Sequence, residues 1–164
     1  MEIESFEAIY ERYNADVYRF AVHLSGNPTL AEDITSETFV RVWTAPGKIR
    51  TTTVKAYLLT IARHLYLDEA RAMHRHVDLD AEAIAAPGPS PHALTEQHTE
   101  AERMRRALAK LTESDRAALL MRANDELGYE EIAAALAISV SAAKVRVHRA
   151  RVRLARMLTQ REAR

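Results

Sequence analysis

The chain has 164 residues, of which 48% are hydrophobic and 28% charged, and its 23 basic and 23 acidic side chains cancel at neutral pH. This length allows one domain or two small ones. No run of eighteen apolar residues occurs and the start MEIESFEAIYERY is acidic and periodic, so the sequence predicts neither a membrane span nor a signal peptide. We therefore expect a cytoplasmic protein without membrane insertion. The lack of cysteine excludes disulfides and thiol catalysis, and the seven histidines form no metal-binding motif.

The N-terminal part of the chain has the periodicity of α-helices. Apolar residues recur at spacings of three and four, and no segment shows the alternation that is typical of a strand. This pattern predicts an all-α fold that begins with helices over about 5–24, 28–43 and 54–74. Gly26 suits the end of the first helix, and Pro28 suits the first position of the second.

Residues 77–93 lack this periodicity. They contain three of the five prolines and three acidic residues, but no lysine or arginine. Such a composition is typical of a linker. The sequence therefore predicts two small helical domains, residues 1–76 and 94–164, joined by a flexible, acidic, proline-rich linker.

The second domain ends in a pattern that predicts a helix-turn-helix. A first helix starts after Gly128, residues 137–139 form the turn, and Ser139 can cap the second helix. The second helix has an apolar stripe for burial. Its members are Ala143, Val147, Ala150, Leu154 and Leu158.

The other face of the second helix is polar and basic. Residues 139–164 hold eight basic side chains and one acidic one, so the zero net charge of the whole chain hides a local positive field. This distribution predicts a helix whose front contacts base edges in the major groove and whose margins hold phosphates. The front is formed by Ser141, Lys144, Val145 and His148, and the margins by Arg146, Arg149, Arg151 and Arg153.

Three sequence blocks and the helix-turn-helix together resemble a known family. FEAIYERYNADVYRFAVHLSG, AEDITSETFVRVW and AYLLTIARHLYLDEAR, in this order, resemble region two of small bacterial RNA polymerase sigma factors of the extracytoplasmic-function type. The C-terminal block resembles region four of the same family. The resemblance implies that core RNA polymerase and promoter DNA, as duplex and as melted strand, are partners, together with an anti-sigma factor. It implies no enzymatic activity, cofactor or metal.

In the family the second helix docks on the polymerase. One face of this helix lies away from its apolar stripe, and a solvated surface is the alternative explanation for its polarity. By resemblance, the residues that dock on the polymerase are Asp33, Ser36, Glu37, Val40 and Arg41. Ser36 stands where the family usually has glutamine.

The third helix resembles the element that meets the minus-ten promoter element. Basic groups beside aromatic rings suit an opened strand, because they attract phosphates and stack on bases, although tyrosines at such positions are also common in cores. By resemblance, the loop over 45–53 forms a pocket for a flipped base. The candidates for contact with the minus-ten strand are Lys48, Arg50, Lys55, Tyr57, Arg63, His64, Arg71 and Arg75.

Two substitutions in the helix-turn-helix affect its expected behaviour. Ala137 stands in the turn where the family usually has glycine, and if its φ is positive, alanine costs on the order of 1 kcal/mol. Val145 replaces a usual small polar residue and favours an apolar contact such as a thymine methyl. Lys144 and Arg146 are the main candidates for base-edge contacts.

Two other functions fit parts of the sequence. One is an ordinary helix-turn-helix regulator whose N-terminal helices sense a ligand or dimerise. The other is a degenerate sigma-like protein that binds polymerase without directing initiation.

Overall fold

The computed structural model describes residues 5–45, 53–79 and 96–160, and all regular structure in these ranges is α-helical. The predicted all-α fold is therefore confirmed. The first domain contains α1 (Phe6–Ser25), α2 (Pro28–Thr44) and α3 (Val54–Leu79). The second contains α4 (Glu96–Ala109), α5 (Glu113–Ala123), α6 (Tyr129–Leu136) and α7 (Val140–Thr159).

Side-chain caps fix the ends of the first helices. The Ser5 hydroxyl accepts a hydrogen bond from the Ala8 N–H, and Gly26 ends α1 in the left-handed conformation with φ 70°. The Asn27 side chain accepts from two N–H groups at the start of α2. These ends lie within one residue of the prediction, whereas α3 continues to Leu79, five residues beyond the predicted end at His74.

The two domains share one continuous hydrophobic core. In the first domain α1 packs on both α2 and α3, and in the second α7 packs on α5 and α6. Between domains, α1 contacts α4 and α5, and α3 contacts α6. The predicted linker over 77–93 begins inside α3, and its residues 80–93 lie outside the described part of the chain. The largest fully buried apolar side chains are Val17, Phe20, Leu58, Leu59, Met121, Ile132 and Val147.

The helix-turn-helix has the predicted boundaries. The Glu131 carboxylate accepts a hydrogen bond from the Gly128 N–H at 2.9 Å, which caps the start of α6. Ser139 caps α7 by accepting from the Ala142 N–H at 3.0 Å. Between them Ala137 has φ 55° and ψ 46°, the left-handed conformation that favours glycine. The condition under which alanine is costly at this position, a positive φ, is therefore met.

The conformation of Ala137 predicts that Ala137→Gly stabilises the protein by about 1 kcal/mol, because glycine adopts a positive φ without a Cβ clash. Urea denaturation of the two proteins measures this difference. Ala134→Gly, at an exposed position inside α6, is the matched control and should lose roughly 0.5–1 kcal/mol. A loss of stability in both variants would contradict the interpretation of the turn.

Candidate nucleic-acid interface

The front of α7 is exposed as the sequence predicts. The stripe residues Ala143, Val147 and Ala150 are buried against the domain, and the opposite face is open to solvent. Val145 is 58% exposed although it is apolar, so it is available for an apolar contact in a groove. The exposed front residues are Ser141, Lys144, Val145 and His148.

Lys144 lies over an aromatic ring of the first helix of the motif. Its Nζ is 5.8 Å from the centroid of the Tyr129 ring, and the Arg122 guanidinium lies 4.6 Å from the same centroid. Cation–π contacts of this kind contribute about 0.5–1 kcal/mol at exposed sites. The ring thus restrains the lysine at the start of the recognition helix. Sequence reasoning missed Tyr129, because nothing local relates it to Lys144.

One flank of α7 carries an ion pair with a buried carboxylate. The Arg149 guanidinium donates to Asp115 at 3.1 Å from Nε and 2.8 Å from Nη2. Arg146 Nη1 lies 3.7 Å from Oδ1 of the same carboxylate. Arg149, predicted to hold a phosphate, is therefore engaged by Asp115 although about half of its side chain is exposed. Arg151 and Arg153 are also exposed.

The ion pair shifts the titration of both partners. The hydrogen bonds from Arg149 lower the pKa of Asp115 and outweigh the opposing effect of burial. The same contact raises the pKa of Arg149. Sequence reasoning missed Asp115, because it is one of several charged residues in α5 and lies 34 positions from its partner Arg149.

Two basic residues of α3 that were predicted to contact the minus-ten strand lie at the domain interface. Arg63 donates to Glu113 at 2.7 Å from Nε and 2.9 Å from Nη2, and the side chains are 11% and 20% exposed. Lys55 Nζ lies 3.6 Å from Asp125 of the second domain and 3.6 Å from Asp16. Carboxylates of the second domain thus hold both cations.

The remaining candidates on α3 differ in exposure. Tyr57 is half-buried against the core. The same is true of Tyr66, which was not among the candidates and whose hydroxyl accepts from Arg116 at 3.3 Å. His64, Arg71 and Arg75 are exposed. Lys48 and Arg50 lie outside the described residues, as do residues 46–52 of the base pocket that was predicted over 45–53.

Asp125 is a buried acid with two cations nearby. Its side chain is fully buried, and Arg19 and Lys55 lie 3.5 and 3.6 Å from Oδ1. Burial nevertheless raises the pKa of Asp125, because the loss of solvation exceeds the attraction of the two cations.

The predicted polymerase-docking face of α2 is exposed. Its five residues line the helix opposite the buried Ile34, Thr38 and Val42, which confirms their expected position. Arg41 and Glu37 form an ion pair at 3.6 Å with about half of each side chain exposed. The exposed face consists of Asp33, Ser36, Glu37, Val40 and Arg41.

The described ranges contain neither a metal site nor a membrane-spanning helix. No group of three or more histidine, aspartate or glutamate side chains there is placed to bind a metal ion. Among the same residues, no helix combines the length and apolarity needed to cross a membrane.

The fold and this basic helix define a two-domain helix-turn-helix protein that binds DNA. Two family models match the chain, Sigma-70 region 2 over residues 9–76 and Sigma-70 region 4 over residues 101–154. Together they cover both domains.

Similar proteins come from several bacteria. The chain is 34% identical over 144 residues to the sigma factor EcfG of Rhodopseudomonas palustris, covering 85% of this chain and 77% of that protein. It is 31% identical over 154 residues to SigE of Mycolicibacterium smegmatis, covering 92% of this chain and 60% of that protein's length. The fold also matches the sigma factor RpoE of Bartonella quintana, solved in complex with the anti-sigma factor NepR, with TM-score 0.80, 24% identity and coverage of 96% and 98% of the two chains.

The chain belongs to the extracytoplasmic-function group of the sigma-70 family, the initiation factors that bind RNA polymerase and direct it to promoters.

The opposite pKa shifts of Asp115 and Asp125 predict that replacing each by asparagine changes the pH dependence of stability in opposite directions. Because the pKa of Asp115 is lowered in the folded protein, its ionised carboxylate stabilises the fold above the unfolded-state pKa, and this stabilisation is lost as the pH falls. Asp115→Asn should therefore lower the free energy of unfolding by roughly 1–3 kcal/mol at neutral pH and by less in acid. The raised pKa of Asp125 means that ionisation of the wild type costs stability as the pH rises. The free energy of unfolding of Asp125→Asn should therefore increase relative to that of the wild type as the pH rises.

Urea denaturation of the three proteins, from neutral pH down to about pH 3, measures both trends. Parallel pH curves for the two variants would show that the two carboxyl groups have similar environments, contrary to the geometry.

Proposed function

We propose that this chain directs initiation through three separate surfaces. The exposed face of α2 binds core polymerase, α3 contacts the melted minus-ten strand, and the front of α7 binds the minus-thirty-five duplex. The observation that carries this proposal is the front of α7, where exposed polar, cationic and apolar side chains stand on a capped recognition helix. The alternatives of a ligand-sensing regulator or a degenerate sigma-like protein have no such specific observation in their favour.

The contacts of α3 imply that the two domains separate before the minus-ten strand binds. Arg63 and Lys55 are paired with Glu113 and Asp125, so a phosphate must compete with these carboxylates for the two cations. Polymerase that binds α2 while DNA holds α7 supplies the interactions that compensate for the lost domain contacts. The arrangement described is then that of the protein before assembly.

The proposed role needs no catalytic group in this chain. Polymerase supplies the chemistry, and the chain contributes binding surfaces without a cofactor or metal. Because its partners are polymerase and promoter DNA, we place its action in the cytoplasm.

An anti-sigma factor is a further proposed partner. The support is the fold shared with RpoE of Bartonella quintana, which was solved in complex with the anti-sigma factor NepR. That complex also shows that a chain of this fold accepts a protein partner.

Reconstituted transcription with core polymerase tests the proposed function. Addition of this chain should give specific transcripts from promoter-containing genomic fragments, since core polymerase alone lacks promoter specificity. A chain that binds core polymerase but yields no specific transcript would be a degenerate sigma-like protein, and one that does not bind core would be an independent regulator.

The docking surface gives a second prediction. Alanine at Asp33, Glu37 and Arg41 together should weaken core binding while thermal stability changes little, because exposed substitutions usually shift stability by no more than about 0.5 kcal/mol each. Affinity for core polymerase and the unfolding midpoint are the measurements. Glu32→Ala, at an exposed position on the same helix, is the control and should bind as the wild type does. Unchanged affinity in the triple variant would reject this face.

The recognition helix gives a third prediction, measured with holoenzyme on fragments whose minus-thirty-five element is intact or replaced. Lys144→Ala should weaken binding to the fragment with the intact element by about 1–3 kcal/mol, because a base contact is lost, and should change binding to the other fragment little. Arg151→Ala should weaken binding to both alike and lower the salt slope by about 0.9, because a phosphate contact is lost. Equal losses on both duplexes for Lys144→Ala would show that this lysine contributes charge alone.

A further inference from the structure

Asp115 is placed rigidly at the start of α5. It is the third residue of that helix, its side chain is 1% exposed, and its own N–H donates to the Thr112 hydroxyl that caps the helix. The helix dipole favours a negative charge at this end. The carboxylate is therefore fixed in position and ionised.

This carboxylate faces the DNA-binding helix of the motif. Arg149 donates two hydrogen bonds to it, and Arg146 lies 3.7 Å away. The two arginines are three residues apart, so they share one side of α7. One buried acid thus restrains two of the four arginines that flank the recognition helix.

A carboxylate beside a DNA-binding surface has two opposing effects on DNA binding. It cancels positive charge, which lowers affinity for every phosphate backbone alike. It also holds the planar Arg149 guanidinium in a two-point contact and restrains Arg146, which reduces the freedom lost when the helix enters a groove. The loss of affinity applies to all DNA, whereas the ordering of the arginines favours only duplexes in which side chains must contact particular base edges.

The neighbouring residue keeps the acid in place. Arg116 is buried and donates to the carbonyls of Leu24, Leu108 and Leu111 at 2.9, 3.3 and 2.9 Å. These bonds anchor the first turn of α5 to α1 and to the end of α4. Asp115 therefore cannot follow Arg149 if that side chain moves toward a phosphate.

We propose that Asp115 is a positioning residue for promoter recognition: by holding Arg149 and restraining Arg146, it raises the preference of α7 for its target duplex over other DNA. This inference rests on the proposed role of α7 at the minus-thirty-five element.

The test compares wild-type and Asp115→Asn holoenzyme on two fragments. One is a promoter fragment that the wild-type holoenzyme transcribes, and the other is the same fragment with its minus-thirty-five half replaced. The ratio of the two affinities should fall roughly tenfold in the variant, a change that corresponds to the loss of one oriented base contact. The salt slope on the replaced fragment should become steeper by about 0.9, because the released Arg149 gains a phosphate.

Glu130→Gln is the matched control. It removes one negative charge from an exposed position at the start of α6, so it should leave the affinity ratio unchanged. A lower unfolding midpoint in Asp115→Asn with an unchanged ratio and salt slope would overturn the inference, because Asp115 would then serve stability alone. If the wild type does not distinguish the two fragments, the proposed role of α7 fails instead.

A second variant keeps the test decisive if Asp115→Asn does not fold. Arg149→Lys retains the charge but loses the planar two-point contact with the carboxylate. We expect a lower affinity ratio with an unchanged salt slope. A ratio equal to that of the wild type in this variant would also overturn the proposal.

Discussion

The packing of the two domains depends on one buried guanidinium. Arg116 is 7% exposed and donates to carbonyls at the ends of α1 and α4. The last carbonyls of a helix lack intrahelical partners and carry partial negative charge. The arginine satisfies these acceptors, and they in turn replace the water that it loses on burial. Because Asp115 directly precedes Arg116, a single turn of α5 connects α1, α4 and the recognition helix.

The pairing of charges across this fold explains how a chain of zero net charge can bind DNA. Several of its cations are matched by carboxylates within the molecule, as in the pairs of Arg149 with Asp115 and of Arg63 with Glu113. Net charge averages over such pairs. DNA binding depends on the cations that remain exposed, and several of these lie together on α7.

The fold could be predicted from the sequence wherever the information was local. Asn27, Ser139 and Ala137 lie at ends of helices, and the cap or turn at each depends on residues within a few positions. The exposed faces of α2 and α7 followed from helical spacing for the same reason. The positions of the helix starts were accurate because capping is short-range chemistry.

The missing information was long-range. Asp115 is 34 positions from Arg149, and Glu113 is 50 positions from Arg63. These pairs depend on how helices from distant parts of the chain pack, and no periodicity encodes them. Sequence reasoning therefore identified basic residues for DNA but could not identify the acids that hold them. The end of α3 was also underestimated, because Val77, Asp78 and Leu79 fall in the segment whose composition predicts a linker.

The length of α3 also limits how far the two domains can separate. Its 26 residues form a rod about 39 Å long at 1.5 Å per residue. From Leu79 to Glu96 there are 17 peptide steps, which reach at most roughly 56–61 Å when fully extended. Every residue that is helical rather than extended shortens the reach by about 2 Å. The point at which α3 ends thus limits the separation of the two domains that the chain between Leu79 and Glu96 can span.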